Sequence, residues 1–186
     1  MPGRKVPFFN YPSVFLDHQD RLVAALVDVG TRGAFVMQSD LADFEGRLAS
    51  YTGARYAVGV ANATDGLQMA FMAAALPAGG EVVISSHTMV ATATAIHFAG
   101  LTPVPTDPGP DHLLDCNGIE ACITDATVAI CPTQLNGRTC DMDRLMQLAS
   151  DRGLAVLEDA AQALGSRFDG RCAGTFGLAG CISFYP

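Results

Sequence analysis

From Tyr56 onward, short apolar runs alternate with segments whose apolar residues recur at helical spacing. Parallel strands are joined by long crossovers, usually helices, and strands buried on both faces are rich in Val and Ile. The alternation therefore predicts an α/β fold, with a mainly parallel sheet and helices packed on both faces. The predicted strands are Tyr56–Val60, Glu81–Ser85, Thr102–Thr106, Val128–Cys131 and Leu154–Leu157, and the predicted helices are Asp65–Leu76, Ala91–Phe98, Asp115–Ile123 and Met142–Arg152.

The N-terminal part of the chain lacks this alternation, and an arm there leads to two segments with a helical pattern. Apolar spacing predicts a helix over Leu16–Val29, and Gly30 and Gly33 are expected to break it. A second amphipathic segment, Ser39–Tyr51, begins with a serine that is suited to cap a helix. These elements are expected to precede the main domain rather than to form part of its sheet.

Composition excludes several classes of partner. Hydrophobic residues make up 49% of the chain and charged residues 16%, which favours a well-buried interior over disorder. The net charge of −8 provides no broad cationic surface for nucleic acid or an acidic membrane. No apolar run approaches the roughly 20 residues of a membrane span, and the N-terminus lacks a signal-peptide pattern. We therefore expect a cytoplasmic protein with no nucleic-acid or membrane partner.

Metal binding is not indicated by the cysteines and histidines. The six cysteines form no CxxC pair, and the four histidines are scattered along the chain. Small buried thiols in a reducing compartment are the ordinary interpretation of such cysteines. We therefore expect no metal site.

The C-terminal segment combines a turn signal with an apolar end. Asp169-Gly170, between short runs ending at Phe168 and beginning at Arg171, predicts a hairpin. The last residues, Cys181–Pro186, resemble a buried strand, whereas termini are usually polar and poorly ordered. We expect the chain to be the front part of a larger protein.

Lysine chemistry cannot come from the main part of this chain. Its only lysine is Lys5, in the N-terminal arm. A mechanism that needs a buried lysine of lowered pKa therefore cannot take that lysine from this chain.

Three polar segments fall where a ligand would bind, because ligands of open α/β sheets lie beyond the carboxyl ends of the strands. Asn62 or Thr64 can cap the helix after the first predicted strand, which leaves amide groups suited to a phosphate. Asp159 and Gln162 follow another strand and are suited to a cationic ring nitrogen and a ring hydroxyl. Ser183 lies in the last apolar run. Simple helix capping by Asn62 or Thr64 in the first segment and by Asp159 in the second, and backbone bonding by Ser183, remain open alternatives.

Five segments in order carry a more specific signal. They are NATDGLQMAF, HTMVATATAI, CPTQLNGRTCDMDRL, VLEDAAQALGS and GCISFYP. From about Phe8 to Pro186 the chain resembles the DegT/DnrJ/StrS family of pyridoxal-phosphate (PLP) aminotransferases. The resemblance implies the large domain of the fold type I, aspartate-aminotransferase-like class. Residues 53–186 would be the incomplete PLP-binding domain, and residues 1–52 an arm and helices.

The resemblance also implies roles for the cofactor-binding residues. Thr64 and the backbone N–H of Asp65 would hold the cofactor phosphate, and Ser183 would add a hydroxyl to it. Asp159 would pair with the pyridinium nitrogen and act as the catalytic carboxylate of this chain. Gln162 would donate to the phenolic oxygen of the ring.

Two positions depart from the family pattern or lie beyond the chain. Met89 stands where the family often has an aromatic residue stacked on the ring, and a thioether can pack there with a gain of roughly 0.3–1.5 kcal/mol. The family's lysine follows the SFYP element as SFYPxK, which places it two residues past Pro186.

The resemblance implies transfer of an amino group from glutamate or glutamine to a keto-sugar, nucleotide-linked, or to a cyclitol. It also implies a homodimer whose active sites are shared between subunits. Two alternatives remain open: a dehydratase of the same fold with histidine in place of the lysine, and a non-catalytic PLP-binding regulator. The residue two positions past Pro186 would distinguish the first alternative from the aminotransferase.

Overall fold

The computed structural model describes residues 6–185, so Lys5 and Pro186 lie outside the described residues. The chain forms two compact units, one ending at Phe44 and the other beginning at Glu45. The first unit contains helix α1 (Tyr11–Arg32) and the start of helix α2 (Ser39–Thr52). None of the helices within the described residues is long and apolar enough to cross a membrane.

Helix α1 is longer than the sequence predicts at both ends. Pro12 lies in its first turn, where the missing N–H costs no hydrogen bond. Gly33 ends the helix in the left-handed conformation, at φ 63°, and its amide donates to the carbonyl of Gly30. The prediction that Gly30 breaks the helix was wrong, because Gly30 continues the helical backbone and only Gly33 supplies the αL cap.

Five parallel strands form the main sheet. They are β1 (Glu81–Ser85), β2 (Thr102–Thr106), β3 (Thr127–Cys131), β4 (Ala155–Asp159) and β7 (Ala179–Cys181). Their order across the sheet is β2-β1-β3-β4-β7, which confirms the predicted fold class. The remaining helices are α3 (Ala63–Ala73), α4 (Val90–Phe98), α5 (Cys116–Cys122) and α6 (Met142–Arg152).

Each face of the sheet buries its own apolar cluster. Val83, Ile130 and Val156 pack on one face with residues of α5 and α6. Val82, Ile84, Leu157 and their neighbours pack on the other face with Phe71 of α3 and Ile96 of α4. Because successive strand residues point to opposite faces, adjacent residues such as Val82 and Val83 serve different clusters. The predicted helices on both faces are confirmed.

The predicted strand Tyr56–Val60 is wrong. Its backbone is not in a strand ladder, and Tyr56 and Val58 are 73% and 77% exposed. A strand needs a neighbour for its backbone groups, and no described strand pairs with this segment. The amide of Gly59 instead donates to the carboxylate of Glu45 at 2.6 Å. The apolar pattern of this segment is therefore not sufficient to predict a strand.

The hairpin prediction is confirmed and the last strand is shorter than expected. Strands β5 (Arg167–Phe168) and β6 (Arg171–Cys172) pair antiparallel. Both turn residues, Asp169 and Gly170, have positive φ, as a tight two-residue turn requires. The ladder of β7 ends at Cys181, so the chain leaves the sheet before its last residues.

Candidate functional site

Asn62 is the residue that caps the N-terminus of α3. Its Oδ1 accepts a hydrogen bond from the amide of Asp65 at 2.9 Å, and its Nδ2 donates to Asp65 Oδ2 at 2.8 Å. Thr64 lies half-buried in the first helical turn instead of capping it. The first-turn amides and the helix dipole form a favourable place for an anion. A phosphate that used the Asp65 amide would have to share it with Asn62.

Helix α3 lies directly against the end of β7. A Cβ added at Gly66 would stand 2.7 Å from Sγ of Cys181, so the absence of a side chain permits this approach. The Cys181 thiol donates to the carbonyl of Ala63 at 3.2 Å. Ser183 follows β7 by two residues and is half-buried, with its hydroxyl accepting from the amide of Tyr185 at 3.2 Å. The packing of α3 on β7 thus brings Cys181, two residues before Ser183, to the start of α3.

Asp159 is the last residue of β4 and is 5% exposed. Its Oδ2 accepts a hydrogen bond from Oγ1 of Thr92 at 2.6 Å, and its Oδ1 accepts from the amide of Ala161 at 3.1 Å. Residues 160–166 form turns rather than a helix. The alternative in which Asp159 only caps a helix is therefore excluded, although it does bond the turn that follows.

The neighbouring carboxylate, Glu158, has a different environment. It is fully buried, and its two oxygens accept four N–H groups, from the side chain of Gln134 and from the backbone of Gly174, Phe176 and Gly177. Sequence analysis did not single out Glu158. Its hydrogen-bonding capacity is used by the protein itself, so it is a structural carboxylate.

No basic side chain of the described residues pairs with Asp159. Both hydrogen-bond donors of Asp159 given above are uncharged, and the ion pairs of Arg32 are with Asp28 and Asp40. A buried carboxylate without a cation is costly, and Asp159 has only two hydrogen-bond donors where Glu158 has four. The chemistry of Asp159 therefore fits a cationic N–H group brought by a ligand, such as the protonated pyridine nitrogen of PLP.

Gln162 and Met89 lie on the two segments that adjoin Asp159. Gln162 is exposed, with its Oε1 accepting from the amide of Asn136 at 3.1 Å, which leaves its NH2 group to serve as a donor. Met89 precedes α4 by one residue and is 66% exposed. The same helix carries Thr92, which reaches Asp159. Both residues are thus exposed to a ligand near this strand end.

The buried thiols at this edge of the sheet are protonated at neutral pH. Burial raises the pKa of Cys181 to about 11, and the negative charge of Asp159 adds to the effect. Burial also raises the pKa of Cys131 well above its usual value. Neither thiol supplies a thiolate here, and the described residues contain no group of three or more side chains arranged to hold a metal.

The fold is that of the large domain of fold type I, PLP-dependent aminotransferases, as close structural matches show. Residues 17–186 match the model of the DegT/DnrJ/EryC1/StrS aminotransferase family. The chain belongs to this family, which confirms the resemblance found in the sequence.

Individual relatives agree with the family. The chain is 38% identical over 183 residues to the dTDP-3-amino-3,4,6-trideoxy-alpha-D-glucose transaminase of Streptomyces venezuelae, a match that covers 98% of this chain and 48% of the relative. The crystal structure of S. venezuelae DesV superposes with a TM-score of 0.93 at 38% identity, covering 99% of this chain and 50% of DesV. The structure of NtdA from Bacillus subtilis, solved with bound cofactor PMP, has a TM-score of 0.86 at 30% identity. The match covers 94% of this chain and 40% of NtdA. The chain spans about half the length of the curated relatives that it matches.

Proposed function

We propose that the protein is a PLP-dependent aminotransferase that transfers an amino group to a keto-sugar, nucleotide-linked, or to a cyclitol. The observation that carries this proposal is Asp159, a buried carboxylate at a strand end that lacks a described cationic partner. The protonated ring nitrogen of PLP supplies that cation. The transaminase name of the S. venezuelae relative supports the reaction class, and the dTDP-linked amino sugar in that name supports a nucleotide-linked substrate.

The residues divide into two groups, one for each end of the cofactor. Thr64, the Asp65 amide and Ser183 bind the phosphate at the start of α3. Asp159 holds the proton on the ring nitrogen, and Gln162 donates to the ring oxygen. With its ring nitrogen protonated, PLP supplies an electron sink for the charge that develops on the substrate carbon.

Met89 completes the ring-binding side. Its exposed thioether, just before α4, would pack on the pyridine ring when the cofactor is bound. The contact contributes modestly to affinity and excludes water from that part of the ring.

The proposed domain arrangement assigns cofactor binding to residues 53–186 and an arm with helices to residues 1–52. Helix α1 supports association with a second copy, because it buries none of its residues and exposes Leu16, Leu22, Leu26 and Val27. Exposed apolar stripes of this kind mark interaction surfaces. We propose a cytoplasmic homodimer whose subunits share active sites, with glutamate or glutamine as the amino donor.

The experiment uses the protein expressed from its complete reading frame, with added PLP. The protein is incubated with 15N-labelled glutamate, or with glutamine labelled at its α-amino group, and with dTDP- or UDP-linked keto-sugars. Mass spectrometry of the sugar product should show one 15N atom, and the Asp159→Asn variant should fail to transfer it at a comparable rate. Loss of a hydroxyl without gain of nitrogen would indicate the dehydratase, and PLP binding without either change would indicate the regulator.

A further inference from the structure

Three threonine hydroxyls form a continuous chain that ends on the Asp159 carboxylate. Thr133 Oγ1 lies 2.8 Å from Thr88 Oγ1, and Thr88 Oγ1 lies 2.8 Å from Thr92 Oγ1. Thr92 Oγ1 then lies 2.6 Å from Asp159 Oδ2. The three residues come from separate segments: the loop after β3, the loop before α4, and α4 itself. We call Thr133, Thr88 and Thr92 the threonine relay.

The direction of every hydrogen bond in the relay is fixed by proton counting. An ionised carboxylate only accepts, so the single hydroxyl proton of Thr92 goes to Asp159. The oxygen of Thr92 must then accept from Thr88, and the oxygen of Thr88 accepts from Thr133. All three O–H dipoles therefore point toward Asp159.

The relay is placed where such dipoles act strongly. Thr92 is fully buried, and Thr133 and Asp159 are each 5% exposed. In a buried site hydrogen bonds are stronger than in water, and a chain of them polarises its members in one direction. The relay therefore stabilises negative charge on Oδ2 of Asp159.

The relay also sets the rotation of the Asp159 carboxylate. Thr92 binds Oδ2 while the Ala161 amide binds Oδ1, so both oxygens are held from different segments. Oδ1 retains acceptor capacity beyond its one amide. A fixed carboxylate presents this capacity in one direction and loses no conformational freedom when a ligand N–H arrives.

Thr92 departs from the usual behaviour of a helical threonine. Such a residue commonly bonds the carbonyl of its own helix four residues earlier, as Thr94 does with Val90 at 2.8 Å. Thr92, two residues before Thr94 in α4, bonds a carboxylate 67 positions away. Its hydroxyl therefore serves the site rather than the helix.

We propose that Thr92, supported by Thr88 and Thr133, is a positioning residue that holds Asp159 charged and oriented toward the ring nitrogen of PLP. This inference rests on the proposed cofactor site and extends it to residues that do not touch the cofactor. The relay acts only through Asp159. Its contribution to affinity therefore depends on the presence of the ring nitrogen.

The test compares two ligands that differ only at that nitrogen. Apo-protein from the complete reading frame is titrated with PLP and with 1-deaza-PLP, in which a C–H replaces the ring nitrogen. Thr92→Val removes the hydroxyl at nearly constant volume, Thr92→Ser retains it, and Thr94→Val is a matched control on the same helix. Thermal unfolding of each apo-protein checks that the variants fold.

Thr92→Val should reduce the preference for PLP over 1-deaza-PLP by about tenfold, as expected for a hydrogen bond to a charged group. Thr92→Ser should keep most of the preference, and Thr94→Val should leave it unchanged. Equal loss of affinity for both ligands in Thr92→Val, or an unchanged preference, would overturn the relay while leaving PLP binding by the unmodified protein intact. Failure of the unmodified protein to bind PLP would instead reject the cofactor site itself.

Discussion

Glu158 and Asp159 are consecutive buried residues of β4 whose carboxylates are bound by different parts of the chain. Glu158 accepts four N–H groups from Gln134 and from the loop before β7. Asp159 accepts one hydroxyl and one amide. Side chains of adjacent strand residues point to opposite faces, so the two carboxylates meet different donors, and Asp159 keeps acceptor capacity that Glu158 has used.

Replacing Glu158 by Gln should destabilise the fold, because Glu158 has a structural role and not a catalytic one. Whichever way the amide is turned, its NH2 group meets N–H donors that now lack an acceptor, such as those of Phe176 and Gly177. We expect the free energy of unfolding to fall by about 3 kcal/mol. Urea denaturation measures this, and Glu120→Gln on the exposed side of α5 should change it by less than about 0.5 kcal/mol. Equal effects of the two variants would refute the structural role of Glu158.

Two glycine-to-alanine changes in helices should change the stability of the protein in opposite directions. At Gly46 in α2, no atom lies within 4 Å of an added Cβ, so alanine should stabilise the helix by about 1 kcal/mol. At Gly66 in α3, the new methyl meets Cys181 Sγ at 2.7 Å, and we expect a net loss of about 2 kcal/mol with weaker PLP binding. Adding Cys181→Ala to Gly66→Ala should restore part of the lost stability and part of the lost PLP affinity. Stabilisation by Gly66→Ala would show that α3 is not held against β7.

Asn62 separates helix capping from anion binding. Asn62→Asp keeps an oxygen that can accept from the Asp65 amide, but it replaces the hydrogen bond to Asp65 Oδ2 by repulsion and adds negative charge where the phosphate is proposed to bind. PLP affinity, measured by titration of the apo-protein, should fall about tenfold, and the deficit should shrink as salt is added. Asn62→Ala should instead cost about 1 kcal/mol of stability. Unchanged PLP affinity in Asn62→Asp would place the phosphate elsewhere.

Much of the fold follows from the sequence because the strands are short, apolar and separated by helices. Strands β1 and β2 and helix α6 have the predicted bounds. The segment Tyr56–Val60 failed because alternation reports a suitable side-chain pattern, whereas a strand also needs a pairing neighbour. The pattern of a segment carries no information about that neighbour.

The site was predictable only in part. Asp159 and Gln162 are polar and lie at or just after the end of a strand, and this position indicates a ligand-binding site. Thr92 lies among small apolar residues of α4 and contacts Asp159 across 67 positions, so no local pattern marks it. Glu158 and Asp159 could not be assigned different roles without knowing which donors face each oxygen.

Stability should fall at alkaline pH because buried thiols ionise first in the unfolded chain. Burial raises the pKa of Cys140 from 9.0 to about 11. Between these values the unfolded state has released a proton that the folded state retains, so stability that is present below pH 9 is lost as the pH rises toward 11. In Cys140→Ala, the free energy of unfolding should fall by about 2 kcal/mol less than in the unmodified protein as the pH rises from 9 to 11. Urea denaturation across this pH range measures the difference. An identical slope in both proteins would contradict the assignment.

The pairing of Asp159 with the ring nitrogen can be observed by 15N NMR of PLP labelled at that nitrogen and bound to the protein from its complete reading frame. We expect the chemical shift of a protonated pyridine nitrogen at neutral pH in the unmodified protein and of an unprotonated one in Asp159→Asn, whose amide cannot hold the charge. Glu158→Gln, where it folds, should leave the nitrogen protonated. An unprotonated nitrogen in the unmodified protein, or the same shift in Asp159→Asn, would contradict the proposed site.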